Sequence, residues 1–274
     1  MDHSIELVAN GFDFPEGPCF DAAGDLYFTQ CGNGWITRIC GGKAENYVNT
    51  DGTPNAAVFD EENVLWIAEA GLGKLMRYDG QELVEIAGEW EGQPLQAPND
   101  LVFHPDGSIY MTGPGGSSAE APVGVVYHAQ RDGTLAVVAD SMRFPNGLAL
   151  TGDARRLYVA ETAAHRILVF DVREDGGLDG PEEFALTPGG VGGDGMALDV
   201  DGNLYVAHFG AGEVKVFSPG GELIDQLPAG GEKPTNVAFG GEEMDELHVT
   251  EVENGAVYRL RPGIPGLKPF CDPR

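Results

Sequence analysis

The chain is poor in basic residues: Lys and Arg together number 16 against 44 Asp and Glu, for a formal net charge of −28 at pH 7. Such a chain repels polyanions, which argues against nucleic acid and anionic membrane surfaces as partners and favours cations. Long apolar runs are missing too. No stretch approaches the roughly 20 residues that span a bilayer. The opening MDHSIELVANGFDF has neither the basic region nor the apolar core of a secretory signal. The expectation is a soluble, cytoplasmic protein. Cysteine is sparse, and Cys19, Cys31, Cys40 and Cys271 show no C-x-x-C spacing. In a chain this long they make no disulfide framework, so buried free thiols are expected. Sustained helical periodicity is lacking. So are a G-x-S-x-G elbow and a Gly-rich loop followed by Lys-Ser/Thr, which disfavours acyl-serine and nucleotide chemistry.

What the chain does have is turn residues, 41 Gly and 18 Pro, and a repeat. The unit is a small loop ending in Pro or Gly, an apolar strand, a polar turn, an aromatic-containing strand and a third strand. Its copies read FPEGPCFDAAGDLYFTQ from Phe14, GTPNAAVFDEENVLWIAEA from Gly52, APNDLVFHPDGSIYMTG from Ala97, FPNGLALTGDARRLYVAET from Phe144, GGDGMALDVDGNLYVAHFG from Gly192 and KPTNVAFGGEEMDELHVTE from Lys233. The anchors Pro15, Pro54, Pro98, Pro145, Gly193 and Pro234 are 39, 44, 47, 48 and 41 positions apart. That spacing suits a four-stranded propeller blade of roughly 40 to 50 residues. Alternation in strands such as EVKVF (213–217) supports β structure. The Asp-Gly turns HPDGS (104–108) and DVDGN (199–203) suit hairpins.

The predicted fold is an all-β, six-bladed propeller with four antiparallel strands per blade, occupying residues 1–274 as one domain. After AVYRLR (256–261) the sixth unit lacks a fourth strand, while SIELVA (4–9) resembles the outer strands ELVEIA (82–87) and TLAVVA (134–139). The N-terminal strand is therefore expected to complete the last blade and leave no open sheet edge.

First strands line the central channel of a propeller, so equivalent positions at their starts form a ring. The residues after the anchors are Glu16, Asn55, Asn99, Asn146, Asp194 and Thr235, and every one offers an oxygen. Two carboxylates and amide carbonyls converging on an axis make a hard-cation site suited to Ca²⁺ or Mg²⁺, with Mn²⁺ a further option. The alternative is that Asn, Asp and Gly are ordinary loop residues at strand starts. A second ring follows each second strand: Gln30, Glu69, Gly113, Glu161, His208 and Glu251. In it, His208 is a candidate for hydrogen bonding to substrate or carrying a proton, or else a rim histidine with structural bonds. Residues 113–124, rich in Gly, Ser and Pro, are a candidate lid or a plain surface loop.

Over essentially its full length the chain resembles the senescence-marker-protein/gluconolactonase/luciferin-regenerating family of six-bladed propellers. The resemblance is carried by FPEGPCF (14–20), APNDLVF (97–103), FPNGLAL (144–150), GGDGMALDVDGNLYVA (192–207) and KPTNVAFGG (233–241). It implies one catalytic divalent cation, Ca²⁺ first and Zn²⁺ next, held by Glu16, Asn99, Asn146 and Asp194. Asn55 and Thr235 would then line the pocket, with Glu161 and His208 as further substrate-binding candidates. The implied chemistry is opening of a cyclic ester by a metal-activated water, with Asp194 as the candidate catalytic residue, acting as general base, orienting group or nucleophile. Sugar-lactonase relatives carry an Arg where this chain has Ala97, which weakens an aldonolactone assignment. A rival reading is phosphotriester hydrolysis of the diisopropyl-fluorophosphatase type, which EGP, PND, FPNG and YVAET also resemble. The second calcium of those relatives uses Asp and His positions that are Ala197 and Ala238 here, so a single metal is expected. A third reading is a noncatalytic binding propeller. The expected partner is a small-molecule lactone or phosphotriester, bound by a monomer or weak dimer.

Overall fold

The computed structural model describes residues 4–274. The first three residues of the leading stretch read above lie outside the described residues. Six four-stranded antiparallel sheets form the blades of a β-propeller, and a two-stranded hairpin (Glu89–Trp90 with Gln93–Pro94) links the second blade to the third. The inner strands are Pro15–Phe20, Pro54–Phe59, Leu101–Phe103, Pro145–Leu150, Gly192–Leu198 and Pro234–Gly240. Each packs beside the inner strands of the neighbouring blades, and the first packs against the last. Among the described residues no helix is long and apolar enough to cross a membrane.

The sixth blade takes its outermost strand from the N-terminus: Glu6–Asn10 pairs antiparallel with Ala256–Leu260. In the fourth blade the order is Pro145–Leu150, Arg156–Glu161, Arg166–Val172 and Leu178–Leu186, as the repeat predicts.

The core follows from the alternation. A blade is one sheet thick and buries both faces, so apolar side chains of successive blades meet in six clusters, one per junction. Between blades one and two, for example, Tyr27 and Ile36 meet Phe59, Leu65 and Ile67. In blades one, two and five the turn between first and second strands uses a single device. Asp21 accepts from the backbone N–H groups of Ala23 and Asp25 and from the Tyr27 hydroxyl. Asp60 does the same for Glu62, Val64 and the Trp66 indole, and Asp199 for Asp201, Asn203 and Tyr205. One carboxylate thereby satisfies both the turn and the polar end of a buried aromatic.

All four cysteines are free, but only Cys19 is buried. The expectation of buried thiols is corrected for the others: Cys40 is the exposed last residue of its strand, while Cys31 and Cys271 are partly buried.

Candidate metal centre and substrate cavity

The ring residues are aimed by irregularities in the ladders. Between first and second strands the register shifts at Glu16/Cys19, Pro54/Ala56, Pro145/Leu148, Gly193/Met196 and Pro234/Asn236. In the third blade the ladder begins only at Leu101, and Asn99 is held by its N–H to the Thr112 carbonyl, 2.9 Å. A bulge bends its strand and re-aims a side chain, and here it falls at or beside the ring position of each of these five blades.

Five of the six ring residues, Glu16, Asn55, Asn99, Asn146 and Asp194, line one cavity of about 610 Å³ at the channel mouth. Thr235 does not line it. It is fully buried, and its hydroxyl donates to the Pro15 carbonyl oxygen at 2.8 Å, tying the last blade to the first.

The next position along each inner strand decides how closely the strands approach. It is occupied by Gly17, Ala56, Asp100, Gly147, Gly195 and Asn236. A β-carbon on Gly147 would lie 2.3 Å from the Asp194 carbonyl oxygen, and one on Gly17 would lie 2.5 Å from the Ala56 Cα. The space left by the small residues is filled by Asp100 and Asn236, both buried. These two line not that cavity but a smaller one of about 150 Å³ beneath, which holds Ala197 and Ala238 and meets the C-terminal residues Lys268, Asp272 and Arg274. Asp100 and Asn236 thus form a polar floor between the two spaces. Sequence reasoning passed over both, although their register directly after the ring residues was the available signal.

Three carboxylates are buried at this floor. Burial pushes Glu16 up to about 8, opposed by a hydrogen bond from the Gly17 N–H and reinforced by the nearby charge of Asp100. Burial likewise raises Asp100 to about 7. Asp194 is raised well above the ordinary carboxylate range by burial and then by repulsion from Glu16 and Asp100, while a hydrogen bond with the Asn146 side chain works the other way. No Lys, Arg or His lines the cavity to compensate them. Among the described residues no group of three or more His, Cys, Asp or Glu is arranged to hold a metal, so a cation here would rest on mixed carboxylate and amide oxygens. That donor set fits a hard divalent cation: all oxygen, two carboxylates to balance its charge, and a buried negative field with no basic partner. Asn146, bonding Asp194 through its amide nitrogen, would keep its carbonyl oxygen for the ion.

The second ring has a different job. Gln30 Oε1 accepts from the Asp13 N–H at 2.9 Å, Glu161 Oε1 from Arg143 at 2.6 Å, and Glu251 Oε1 from Lys233 at 3.0 Å. Glu69 accepts from the backbone N–H of Thr53. Each side chain therefore fastens the loop that launches its own blade's inner strand. At the third blade this place is Gly113, and the Tyr127 hydroxyl substitutes by accepting from the Gln96 N–H, 3.0 Å. Glu161 also holds Arg166 at 2.7 Å, and His208 is fully buried with Nε2 bonded to the Gly189 carbonyl, 2.8 Å. Neither lines the cavity.

The walls come from loop residues preceding the anchors. Phe14, Ala97 and Phe144 all have left-handed backbone, with φ of 56°, 48° and 60°, and all three line the cavity with Val191 and Phe209. Of the candidate lid 113–124, Pro114 and Gly115 line the cavity, while the Ser117 hydroxyl accepts from the Phe144 N–H at 3.0 Å.

A family model described as the SMP-30/Gluconolactonase/LRE-like region matches residues 14–253. The diisopropyl-fluorophosphatase of Loligo vulgaris is 30% identical over 291 aligned residues, which cover 94% of this chain and 91% of its own. Lactonase drp35 of Staphylococcus saprophyticus is 28% identical over 81% of this chain and 72% of its own. Among solved structures, a gluconolactonase of Xanthomonas campestris superposes with a TM-score of 0.85 at 26% identity, covering 96% of this chain and 90% of its own.

Proposed function

The chain belongs to the SMP-30/gluconolactonase/LRE-like family, and from that premise we propose that it is a divalent-cation-dependent hydrolase that opens lactones. The observation that carries this reading is the convergence of Glu16, Asn99, Asn146 and Asp194 in one cavity that no basic side chain lines. Lactonase and gluconolactonase relatives over most of the chain support the same reaction class.

In this reading Glu16, Asn99, Asn146 and Asp194 hold the cation. When bound, the ion supplies Lewis-acid polarisation of the ester carbonyl and acidifies water. Ca²⁺ suits the all-oxygen donors best, with Mg²⁺, Mn²⁺ and Zn²⁺ as alternatives. Asp194, oriented by Asn146, takes the proton of the attacking water. The water oxygen bonds to the carbonyl carbon, the ring C–O bond breaks, and the ring oxygen leaves as an alcohol as Asp194 returns the proton to it. The product is a hydroxy acid, which ionises to a carboxylate near neutral pH. Asn55 contacts the substrate from the cavity floor, while Thr235, Glu161 and His208 position the backbone around it. Asp100 and Asn236 keep the floor polar without meeting the substrate. The free thiols are in keeping with a reducing cytoplasmic setting.

A second reading, phosphotriester hydrolysis at the same floor, is favoured by the near-complete alignment with a diisopropyl-fluorophosphatase. The test is hydrolysis of lactones and a phosphotriester by protein stripped with EDTA and then reloaded with Ca²⁺, Mn²⁺ or Zn²⁺. Cation-restored lactone opening is expected. Full lactone turnover by stripped protein, or phosphotriester turnover alone, would sink the proposal.

A further inference from the structure

The cavity is chemically two-layered, and its layers point to a substrate class. The floor carries the polar groups, while above it the wall is Phe14, Ala97, Pro114, Phe144, Val191 and Phe209. Polar side chains above the floor reduce to Asp13, Cys31, Thr53 and Thr162. Thr162 is committed, its hydroxyl donating to the Gly193 carbonyl oxygen at 2.6 Å, and the Cys31 thiol faces the Pro54 carbonyl oxygen at 3.1 Å. No Lys, Arg or His lines the cavity. A polyhydroxylated ring placed here would leave most of its hydroxyls against carbon, and an anionic substrate would meet no basic side chain.

The aromatic walls are built deliberately. Phe14 and Phe144 occupy the same register of blades one and four, opposite members of a six-blade ring. Both hold a left-handed backbone that large side chains seldom adopt. Phe14 remains 44% exposed and Val191 52% exposed at the rim, apolar surface left open to solvent. Ala97 shares this backbone in the third blade, so the conformation belongs to the register, and in two of the three blades that hold it the register sets a phenyl ring at the cavity mouth, an arrangement that fits a ligand clamp. The charge of the whole molecule points the same way. A chain of net charge −28 accepts a neutral ester and repels the carboxylate that hydrolysis makes from it.

We infer that the substrate is an uncharged lactone bearing an alkyl or aryl substituent, gripped between Phe14 and Phe144, and not a sugar lactone. This rests on the hydrolase reading above.

The test compares two six-membered lactones that differ in their substituents, δ-decalactone with its pentyl chain and D-gluconolactone, using cation-loaded protein. The expected result is a kcat/KM at least tenfold higher for δ-decalactone. Phe144→Ala and Phe14→Ala should each raise KM for it by roughly ten- to a hundredfold, with kcat changed less, and Phe144→Leu should recover most of the loss. A parallel thermal-shift titration uses the corresponding hydrolysis-resistant lactams, so that binding is read without turnover. The alkyl lactam should stabilise the wild type and lose that effect in the alanine variants. Preference for the sugar in either measurement, or no stabilisation by the alkyl lactam, overturns the inference while leaving a lactonase in place. Stabilisation by the alkyl lactam with no hydrolysis of either lactone upholds the apolar pocket and rejects the lactonase reading instead.

Discussion

Asn236 stands where Gly195 leaves room for it: a β-carbon on Gly195 would fall 1.9 Å from the Asn236 side-chain carbon. The adjacent Asp194 is thereby fixed in depth relative to the floor, because the inner strands of blades five and six cannot close without that gap. Gly195→Ala is expected to force the strands apart, costing about 1–3 kcal/mol of stability and weakening cation affinity together with it. Chemical denaturation and calorimetric cation titration read the two effects. Unchanged affinity in a destabilised variant would separate the floor from the cation site.

Asp194 and Glu16 are buried like charges, so the proposed cation site is a source of instability when no cation neutralises it. The sign follows from their raised values. The folded protein binds protons that the unfolded chain has already lost, so stability falls as pH rises from about 4 through the folded-state values of about 7 for Asp100 and about 8 for Glu16. Asp194→Asn should therefore melt no lower than the wild type at pH 8 in EDTA, and it should open no lactone. Added Ca²⁺ should raise the wild-type Tm and leave the variant nearly unmoved. A variant that melts well below wild type in EDTA would contradict the buried-charge account.

The N-terminal strand Glu6–Asn10 closes the sixth blade, with Val8 and Ala9 packed into the cluster between blades six and one. Deleting residues 1–10 bares the edge of Ala256–Leu260 and uncovers that cluster. The loss is on the order of 3 kcal/mol, which lowers Tm by roughly 6–12 °C in a domain of this size. Differential scanning calorimetry decides, and an unchanged Tm would remove this strand from the closure.

His248 offers a pH effect remote from the cavity. Burial lowers it to about 4, and it packs edge-on against Phe20 with Glu246, Arg259 and Arg274 as its charged neighbours. Its folded value lies below its unfolded one, so the unfolded chain takes the proton first. Stability is full above about pH 6.5 and declines as pH falls towards about 4, by an amount on the order of 3 kcal/mol. His248→Phe should flatten the dependence between those limits in urea titrations at stepped pH. An identical slope in the variant would assign the effect to other groups.

How much of this was legible in the chain divides along a physical line. The six units, their strands and the ring register are local properties: a repeat period, period-two alternation and turn residues at fixed offsets are written in consecutive residues. The Asp turns were equally readable, since Asp199, Asn203 and Tyr205 lie within seven positions. Even the borrowed N-terminal strand could be inferred, because a missing outer strand at one end matched a spare one at the other.

What the tertiary structure decided is where equivalent side chains point. Asn55 and Thr235 share a register, yet Asn55 lines the cavity while the Thr235 hydroxyl is spent on the Pro15 carbonyl 220 positions away. The second ring looked like a rim and turned out to fasten loops, because its carboxylates reach unpaired backbone N–H groups before they reach solvent. Asp100 and Asn236 became a floor only because Gly17, Gly147 and Gly195 on other blades vacate the axis. Side-chain direction at a strand start depends on a bulge and on the volume left by a neighbouring blade. Neither is encoded at the position itself, so the sequence determined the fold and the ring, and packing across the channel determined the site.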